Sequence, residues 1–525
     1  MLSKVFLHLC FFVVVVRLQN QNPPPPQQQQ QQQSPPQPRP PVNNNVAANG
    51  QNSQQHVNFD GSERLAQRAE CHTDIQTHCS KVIAQLKPGE MLSDMAALEC
   101  LQDAVYSEES QLQGPCGQAV WDFKIALTQD TRFVGAIQQF CPDEVKANSR
   151  IQACTQELRP GYALSCMMDH AHEIQQNTRC FQFLVKVEKL AFSDFRLVAP
   201  FVDKCSATIE QLKCGTLTKP SAHQNVRMPH TQGATLQCMV EKMVNIPTDP
   251  DQKRIIESMP NECRKEVMRI SELQFDDFHL DRPLFFACRK DREHFCAEVP
   301  AGEGKVFQCL MEHKESTEME PECAKMLAER AGMMGRDYRL AHPLTKACAN
   351  EMNAYRCIPQ AGFEKSLQFH LSWVLLCLEN GLRHFKQQTA EMERLTKEGK
   401  AGKQTTPTLL AYTDGCQHQM LAHRRMMMSE FRMSPELVMS CALEINQFCS
   451  MSHDLETQGK TLHCLMEHAQ VRAKTGKADE KSGLGPQCTN ALKDVIRVAD
   501  IGSNYKVDKV LYASCKPLIE GNSFR

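Results

Sequence analysis

Residues 323–348 read CAKMLAERAGMMGRDYRLAHPLTKAC: a run with helical periodicity, a charged turn, an aromatic–basic–apolar triplet, and a second cysteine twenty-five positions after the first. The same interval separates Cys116 from Cys141, Cys180 from Cys205, Cys263 from Cys288 and Cys416 from Cys441, and it recurs between Cys488 and Cys515 at twenty-seven. Nine residues before each closing cysteine stands Arg132, Arg196, His279, Arg339, Arg432 or Lys506. In all but the first case an aromatic residue precedes it: Phe195, Phe278, Tyr338, Phe431, Tyr505. A spacing held six times marks a tandem repeat.

Working outward, the cysteines fall into fours, each expected to form disulfides. They are Cys71, Cys79, Cys100 and Cys116; Cys141, Cys154, Cys166 and Cys180; Cys205, Cys214, Cys238 and Cys263. The next sets are Cys288, Cys296, Cys309 and Cys323; Cys348, Cys357, Cys377 and Cys416; Cys441, Cys449, Cys464 and Cys488. This places six repeats over 59–130, 131–194, 195–277, 278–337, 338–430 and 431–504. Residues 505–525 are expected to open a truncated seventh, because NYKVDKVLYASCK parallels DYRLAHPLTKACA. Repeats two, four and six separate their second and third cysteines by 12, 13 and 15 positions, and repeats one, three and five by 21, 24 and 20. The even repeats also share a motif, Cys166-Met-Met-Asp-His170, Cys309-Leu-Met-Glu-His313 and Cys464-Leu-Met-Glu-His468, so the unit of design reads as a pair of repeats.

The periodicity predicts helices almost throughout. After Cys180 the apolar residues Phe183, Leu184, Val187, Leu190 and Ala191 lie on one helical face, and Ala491, Leu492, Val495 and Ile496 do the same after Cys488. Ile75, Ile209, Met352 and Ile445 follow first cysteines by four positions, and Pro200, Pro283, Pro343 and Pro435 precede them where helices start. Eight residues of helix rise about 12 Å, too far for a disulfide, whose Cα atoms lie about 4.4–6.8 Å apart. First and second cysteines therefore do not pair along one helix. Pairing first with fourth and second with third across a helical hairpin resolves this, and a bridge between neighbouring repeats is the rival arrangement.

Composition sets the compartment. The 525 residues carry 59 basic and 61 acidic side chains, so nothing announces a nucleic-acid partner. The 26 cysteines avoid the close pairs that metal sites want and read as a disulfide framework built in an oxidising compartment. Lys4 followed by the largely apolar run Val5–Val16 reads as a signal peptide over 1–19, too short to span a bilayer. Residues 20–58, rich in Pro, Gln and Asn, lack the apolar surface to offset ordering and are expected to form a disordered stalk.

These features resemble the cysteine-rich repeat family of Golgi apparatus protein 1, also described as cysteine-rich fibroblast growth factor receptor and E-selectin ligand. The resemblance rests on the openings Cys71-His-Thr-Asp-Ile75, Cys348-Ala-Asn-Glu-Met352 and Cys441-Ala-Leu-Glu-Ile445, on the Cys-Leu-x-Glu segments at third cysteines, and on the [DE]-[FY]-R-[LM] triplets. It runs from about Cys71 to the C-terminus. It implies a type I membrane protein of the Golgi whose lumenal repeats bind growth factors. This sequence departs in having fewer repeats, no C-terminal transmembrane helix and no N-x-[ST] sequon.

No GxSxG, HExxH or phosphate-binding loop occurs, so neither catalysis nor a cofactor is expected. His170, His313 and His468 invite a pH- or metal-responsive role, against the plainer one of covering a helix turn beneath a cysteine. The triplet bases invite a periodic binding site, against pairing with Asp194, Asp277 or Asp337 at the turn between repeats. Basic residues gather at Arg383, His384 and Lys386, at Lys397, Lys400 and Lys403, and at Arg424 and Arg425, a candidate for sulfated glycans. Glu391, Glu393 and Glu398 dilute them, and a solvated loop is the expectation there. The sequence thus reads as an all-α, disulfide-stapled, extended repeat array of the secretory pathway, non-enzymatic, binding secreted growth factors or other cargo. A lumenal or extracellular spacer and a soluble trafficking chaperone are the alternatives. Location is expected in the Golgi lumen or membrane, or outside the cell if the chain ends at 525.

Overall fold

The computed structural model describes residues 65–104, 112, 114–129, 132–175, 177–215, 233–244, 250–358, 369–398, 410–449, 459–475, 483–500 and 505–512. The signal peptide, the stalk, Cys10, Cys515, Lys400 and Lys403 lie outside these residues. Within them the chain is helical, with no strand.

Repeat four shows how sequence becomes structure. Its first-cysteine helix, Arg282–Phe295, starts where the Asp281 carboxylate accepts a hydrogen bond from the Leu284 N–H (3.2 Å) and Pro283 sits in the first turn. It ends one residue before Cys296. The third-cysteine helix, Lys305–His313, starts at Gly304, whose φ of +66° is left-handed, a conformation glycine adopts without steric cost. It buries Val306, Phe307, Leu310 and Met311. The fourth-cysteine helix, Pro321–Arg336, carries most of the sequence stretch quoted first, and it buries twelve residues distributed around its whole circumference. It is enclosed because it packs on its own first-cysteine helix, on Ala234–Val244 of repeat three, on Leu371–Lys397 of repeat five and on the short turn Phe431–Met433 of repeat six. Full enclosure forces its charges to pair: Arg330 meets Asp281, and Glu329 accepts from Gln237.

The sulfur pattern is uniform. First cysteines join fourth cysteines as Cys71–Cys116, Cys141–Cys180, Cys205–Cys263, Cys288–Cys323, Cys348–Cys416 and Cys441–Cys488, with Cα atoms 4.6–4.7 Å apart. Second join third as Cys79–Cys100, Cys154–Cys166, Cys214–Cys238, Cys296–Cys309, Cys357–Cys377 and Cys449–Cys464, with Cα atoms 5.4–6.2 Å apart. The pairs nest, so each repeat is a hairpin closed twice. Chain entropy gives about 3 kcal/mol for the 12-residue separation of Cys154–Cys166 and about 4 for the 68-residue separation of Cys348–Cys416.

Repeats also touch beyond their immediate neighbours. Arg282 of repeat four reaches Asp103 of repeat one, while Lys314 of repeat four forms a buried ion pair (2.5 Å) with Glu430, the last residue of repeat five. A Cβ on Gly335 would lie 2.2 Å from the Met433 carbonyl oxygen, so that glycine is the close approach between repeats four and six.

Candidate functional site

The turn between repeats was the first candidate, and it is built the same way several times. At the end of repeat two the Asp194 carboxylate accepts from the Arg196 N–H (3.0 Å) and from its guanidinium Nε (3.0 Å) and Nη2 (2.7 Å). Asp337 holds Arg339 at 3.0, 2.9 and 2.7 Å through the same atoms. Asp277 accepts from the His279 N–H at 2.9 Å and lies 2.8 Å from its ring Nδ1. Glu430 accepts from the Arg432 N–H and Nη1, both at 3.3 Å. Asp194, Asp337 and Glu430 each cap a short 3-10 turn, Asp277 caps a plain turn, and each acid also holds the side chain of the base two residues on. The triplet base is therefore chiefly a clamp. Arg196 is buried and lies 4.1 Å over the Trp121 ring, while His279, Arg339 and Arg432 keep partial exposure. Lys124 joins the Arg196 junction, donating to Ser193 Oγ at 2.9 Å, and burial pushes its ammonium down to about 8.

The even-repeat histidines divide. His313 stacks on Phe295 with ring centroids 4.9 Å apart, and His468 on Phe448 at 4.6 Å. Each phenylalanine immediately precedes a second cysteine, so ring and histidine sit across the inner disulfide. Repeat two has Ala153 there, and His170 instead lies 3.1 Å from Glu173. Hydrogen bonds from Asn148 and Arg150, then from His170, hold the Glu173 carboxyl at about 2. Among the described residues, two groups approach metal-ligand geometry: Cys154, Cys166 and His170, and Cys141, Glu144 and Cys180. In each, the two sulfurs are bonded to one another and offer no thiolate.

The basic cluster of repeat five is where sequence and structure part. Arg383, His384, Lys386 and Lys397 do not lie on a solvated loop; they lie on a 27-residue helix, Leu371–Lys397. Its second half is rich in good helix formers and laced by ion pairs from Arg394 to Glu391 (2.7 Å) and Glu398 (3.3 Å). The structure draws only some of the cluster together. Helix Leu371–Lys397 presents Glu379, Leu382, Arg383 and Lys386 on one face. Helix Asp414–Ser429 presents Gln417, Met420, Leu421 and Arg424 opposite them. Between them is a cavity of about 390 Å³, with His418 and Asp500 at its edge. Arg424 is buried against Glu379 (3.0 Å), and Arg383 reaches Asp500 (3.1 Å). Arg425 donates to the Lys506 carbonyl, and His384 and Lys397 face solvent.

One recurrent element escaped the sequence reading. Gly161, Gly233, Gly304 and Gly459 each stand five residues before a third cysteine, and each has a positive φ. A Cβ there would meet Ala199 Cβ at 2.7 Å, Pro283 Cδ at 2.9 Å, Pro343 Cδ at 3.1 Å and the Met428 carbonyl oxygen at 2.0 Å. In the first three, the glycine abuts the opening turn of the next repeat's first helix. The signal is present in the sequence as a fixed offset from the third cysteine.

Comparison with known proteins places these features. A family model described as a cysteine rich repeat matches residues 114–175, 178–246, 261–318, 321–386 and 414–472. It cuts the repeat before the fourth cysteine of each set, so in its frame the inner disulfide closes a unit and the outer one joins consecutive units. The chain is 50% identical over 469 residues to a Golgi apparatus protein 1 homolog of Caenorhabditis elegans, covering 89% of this chain and 38% of that one. It is 33% identical over 461 residues to Golgi apparatus protein 1 of Rattus norvegicus (88% and 35%) and of Homo sapiens (88% and 34%). The chain thus spans little more than a third of the length of these relatives. No solved structure matches. Among the described residues no helix is long and apolar enough to cross a membrane.

Proposed function

The chain belongs to the cysteine-rich repeat family of Golgi apparatus protein 1, and we propose that it is a non-enzymatic binding protein of the Golgi lumen that captures and retains secreted growth factors, fibroblast growth factors first among them. The observation that carries this reading is the doubly stapled repeat itself. Twelve disulfides need an oxidising lumen to form; they close each repeat twice, and helix packing and ion pairs between repeats join these closed units into one surface. A rigid surface binds a folded partner with little ordering cost, as a retention protein must. Charged residues at the repeat junctions are largely engaged within the fold, which favours recognition by exposed surface over chemistry at a centre.

Capture from secreted and Golgi-lumenal extract tests it. The whole chain is presented with its disulfides intact, beside a reduced and alkylated control. Saturable recovery of a growth factor by the intact form alone supports the proposal. Equal recovery by both forms would mean adhesion to unfolded chain, and no specific recovery would favour a spacer.

A further inference from the structure

We propose that the groove between helices Leu371–Lys397 and Asp414–Ser429 binds a sugar carrying a sulfate or phosphate monoester. The groove's charge is layered. At its base the Arg424 guanidinium and the Glu379 carboxylate neutralise each other at 3.0 Å, both nine-tenths buried or more. At its rim Arg383 and Asp500 are paired at 3.1 Å, with the arginine still half exposed. Lys386 and His418, which also line the groove, are engaged by no ion pair or hydrogen bond among the described residues. With both pairs cancelled, Lys386 leaves a net positive charge, held one helical turn from the Arg383 guanidinium and facing the imidazole across the groove.

The same walls say what else the ligand must carry. Glu379 and Asp500 are acceptors only, and Gln417, also in the lining, donates its amide to the Tyr412 carbonyl (3.3 Å) and so has its carbonyl oxygen left to accept. One uncancelled cation matches a single oxyanion rather than a polyanion. A hydroxylated ring with one oxyanion answers both sets: its ester meets Lys386, His418 and Arg383, and its hydroxyls donate to the acceptors. The volume of about 390 Å³ fits a mono- or disaccharide, and Leu382, Met420 and Leu421 give it an apolar floor. The reading is independent of the growth-factor proposal, since no growth factor enters the argument.

Titration calorimetry on the whole chain with its disulfides intact tests it, with N-acetylglucosamine 6-sulfate, N-acetylglucosamine 6-phosphate and unmodified N-acetylglucosamine as probes. Saturable binding of one or both esters, without binding of the parent sugar, is expected, and the tighter ester identifies the source. Lys386→Ala should weaken binding about tenfold, the scale of one charge-assisted hydrogen bond. Lys386→Glu should abolish it, and His418→Ala should cost a smaller factor. Lys397→Ala, on the same helix outside the groove, should change nothing. Raising salt should weaken binding, because the rim is exposed. The proposal is overturned if neither ester binds saturably at millimolar concentration, if the parent sugar binds equally, or if Lys386→Glu binds like the wild type with an unchanged melting transition. Growth-factor capture by Lys386→Glu at wild-type level would separate the two proposals.

Discussion

Two junctions of one design differ in a single respect. Asp194 and Asp337 hold Arg196 and Arg339 through the same three contacts, within 0.1 Å of each other in length. The Arg196 side chain is 6% exposed, beneath Trp121, and the Arg339 side chain is 45% exposed. Geometry alone would rank the two pairs as equal. Burial separates them, because a guanidinium taken from water depends on its partner in a way that a hydrated one does not. The groove of repeat five extends the contrast, since there Lys386 is exposed and has no partner among the described residues. The triplet bases thus serve the fold at either degree of exposure, and burial decides how much the fold depends on them.

Removing the acid at the buried junction is the strongest way to break this comparison. Asp194→Ala leaves Arg196 buried without its counter-charge and takes away the cap of the turn, and should destabilise by about 3–5 kcal/mol. Denaturant melts of the whole chain, with disulfides intact, measure it as a lowered midpoint. A shift below about 1 kcal/mol would mean that water reaches Arg196 and that the enclosure argument is wrong. Lys124 at the same junction predicts a pH dependence. Its folded ammonium titrates at about 8 against 10.5 when unfolded. Between those values the unfolded chain binds the extra proton, so stability should rise with pH, by about 2 kcal/mol from pH 8 to 9.5. Lys124→Met should flatten that slope; an unchanged slope would assign the effect elsewhere.

The glycines give the next smaller effect. Gly304→Ala forces a Cβ into a φ of +66° and to within 3.1 Å of Pro343 Cδ and 3.2 Å of the Phe275 carbonyl oxygen. About 1–2 kcal/mol is expected from strain and displacement. Gly302→Ala shares a positive φ of +98° but would meet nothing within 4 Å. The two substitutions therefore separate the backbone cost from the contact across repeats, and equal melts would remove the glycine from the junction's design.

Much of this architecture was legible because it is local. The face of Phe183, Leu184, Val187, Leu190 and Ala191 is buried as its spacing required, and Pro200, Pro283, Pro343 and Pro435 open helices. The pairing of Asp194, Asp277 and Asp337 with their triplets was readable for the same reason, since two residues separate the partners. What could not be read lies between positions far apart in the chain. Lys314 gives no sign of meeting Glu430, nor Gly335 of meeting the Met433 carbonyl, because a repeat's periodicity says nothing about which residues of another repeat pack on it. Lys386 and His418 come together only because helices Leu371–Lys397 and Asp414–Ser429 pack side by side, and the high charge of the first helix's second half masked its helicity.

The exposed junction should give the smallest effect, and it is the most discriminating. Asp337 is itself fully buried, yet the arginine it holds is half in water. Asp337→Ala removes the cap on the Arg339 N–H, worth about 1 kcal/mol, while the freed guanidinium turns to solvent at little further cost. A loss of about 1 kcal/mol, set against the larger loss at Asp194, would measure what enclosure adds to an otherwise identical clamp. Salt sharpens the distinction, because screening weakens a hydrated pair and hardly touches an enclosed one. Adding salt should narrow the gap between wild type and Asp337→Ala and leave the gap for Asp194→Ala unchanged. If the two acids cost the same at every salt concentration, the clamp acts as a cap alone, and burial of Arg196 contributes nothing that Arg339 lacks.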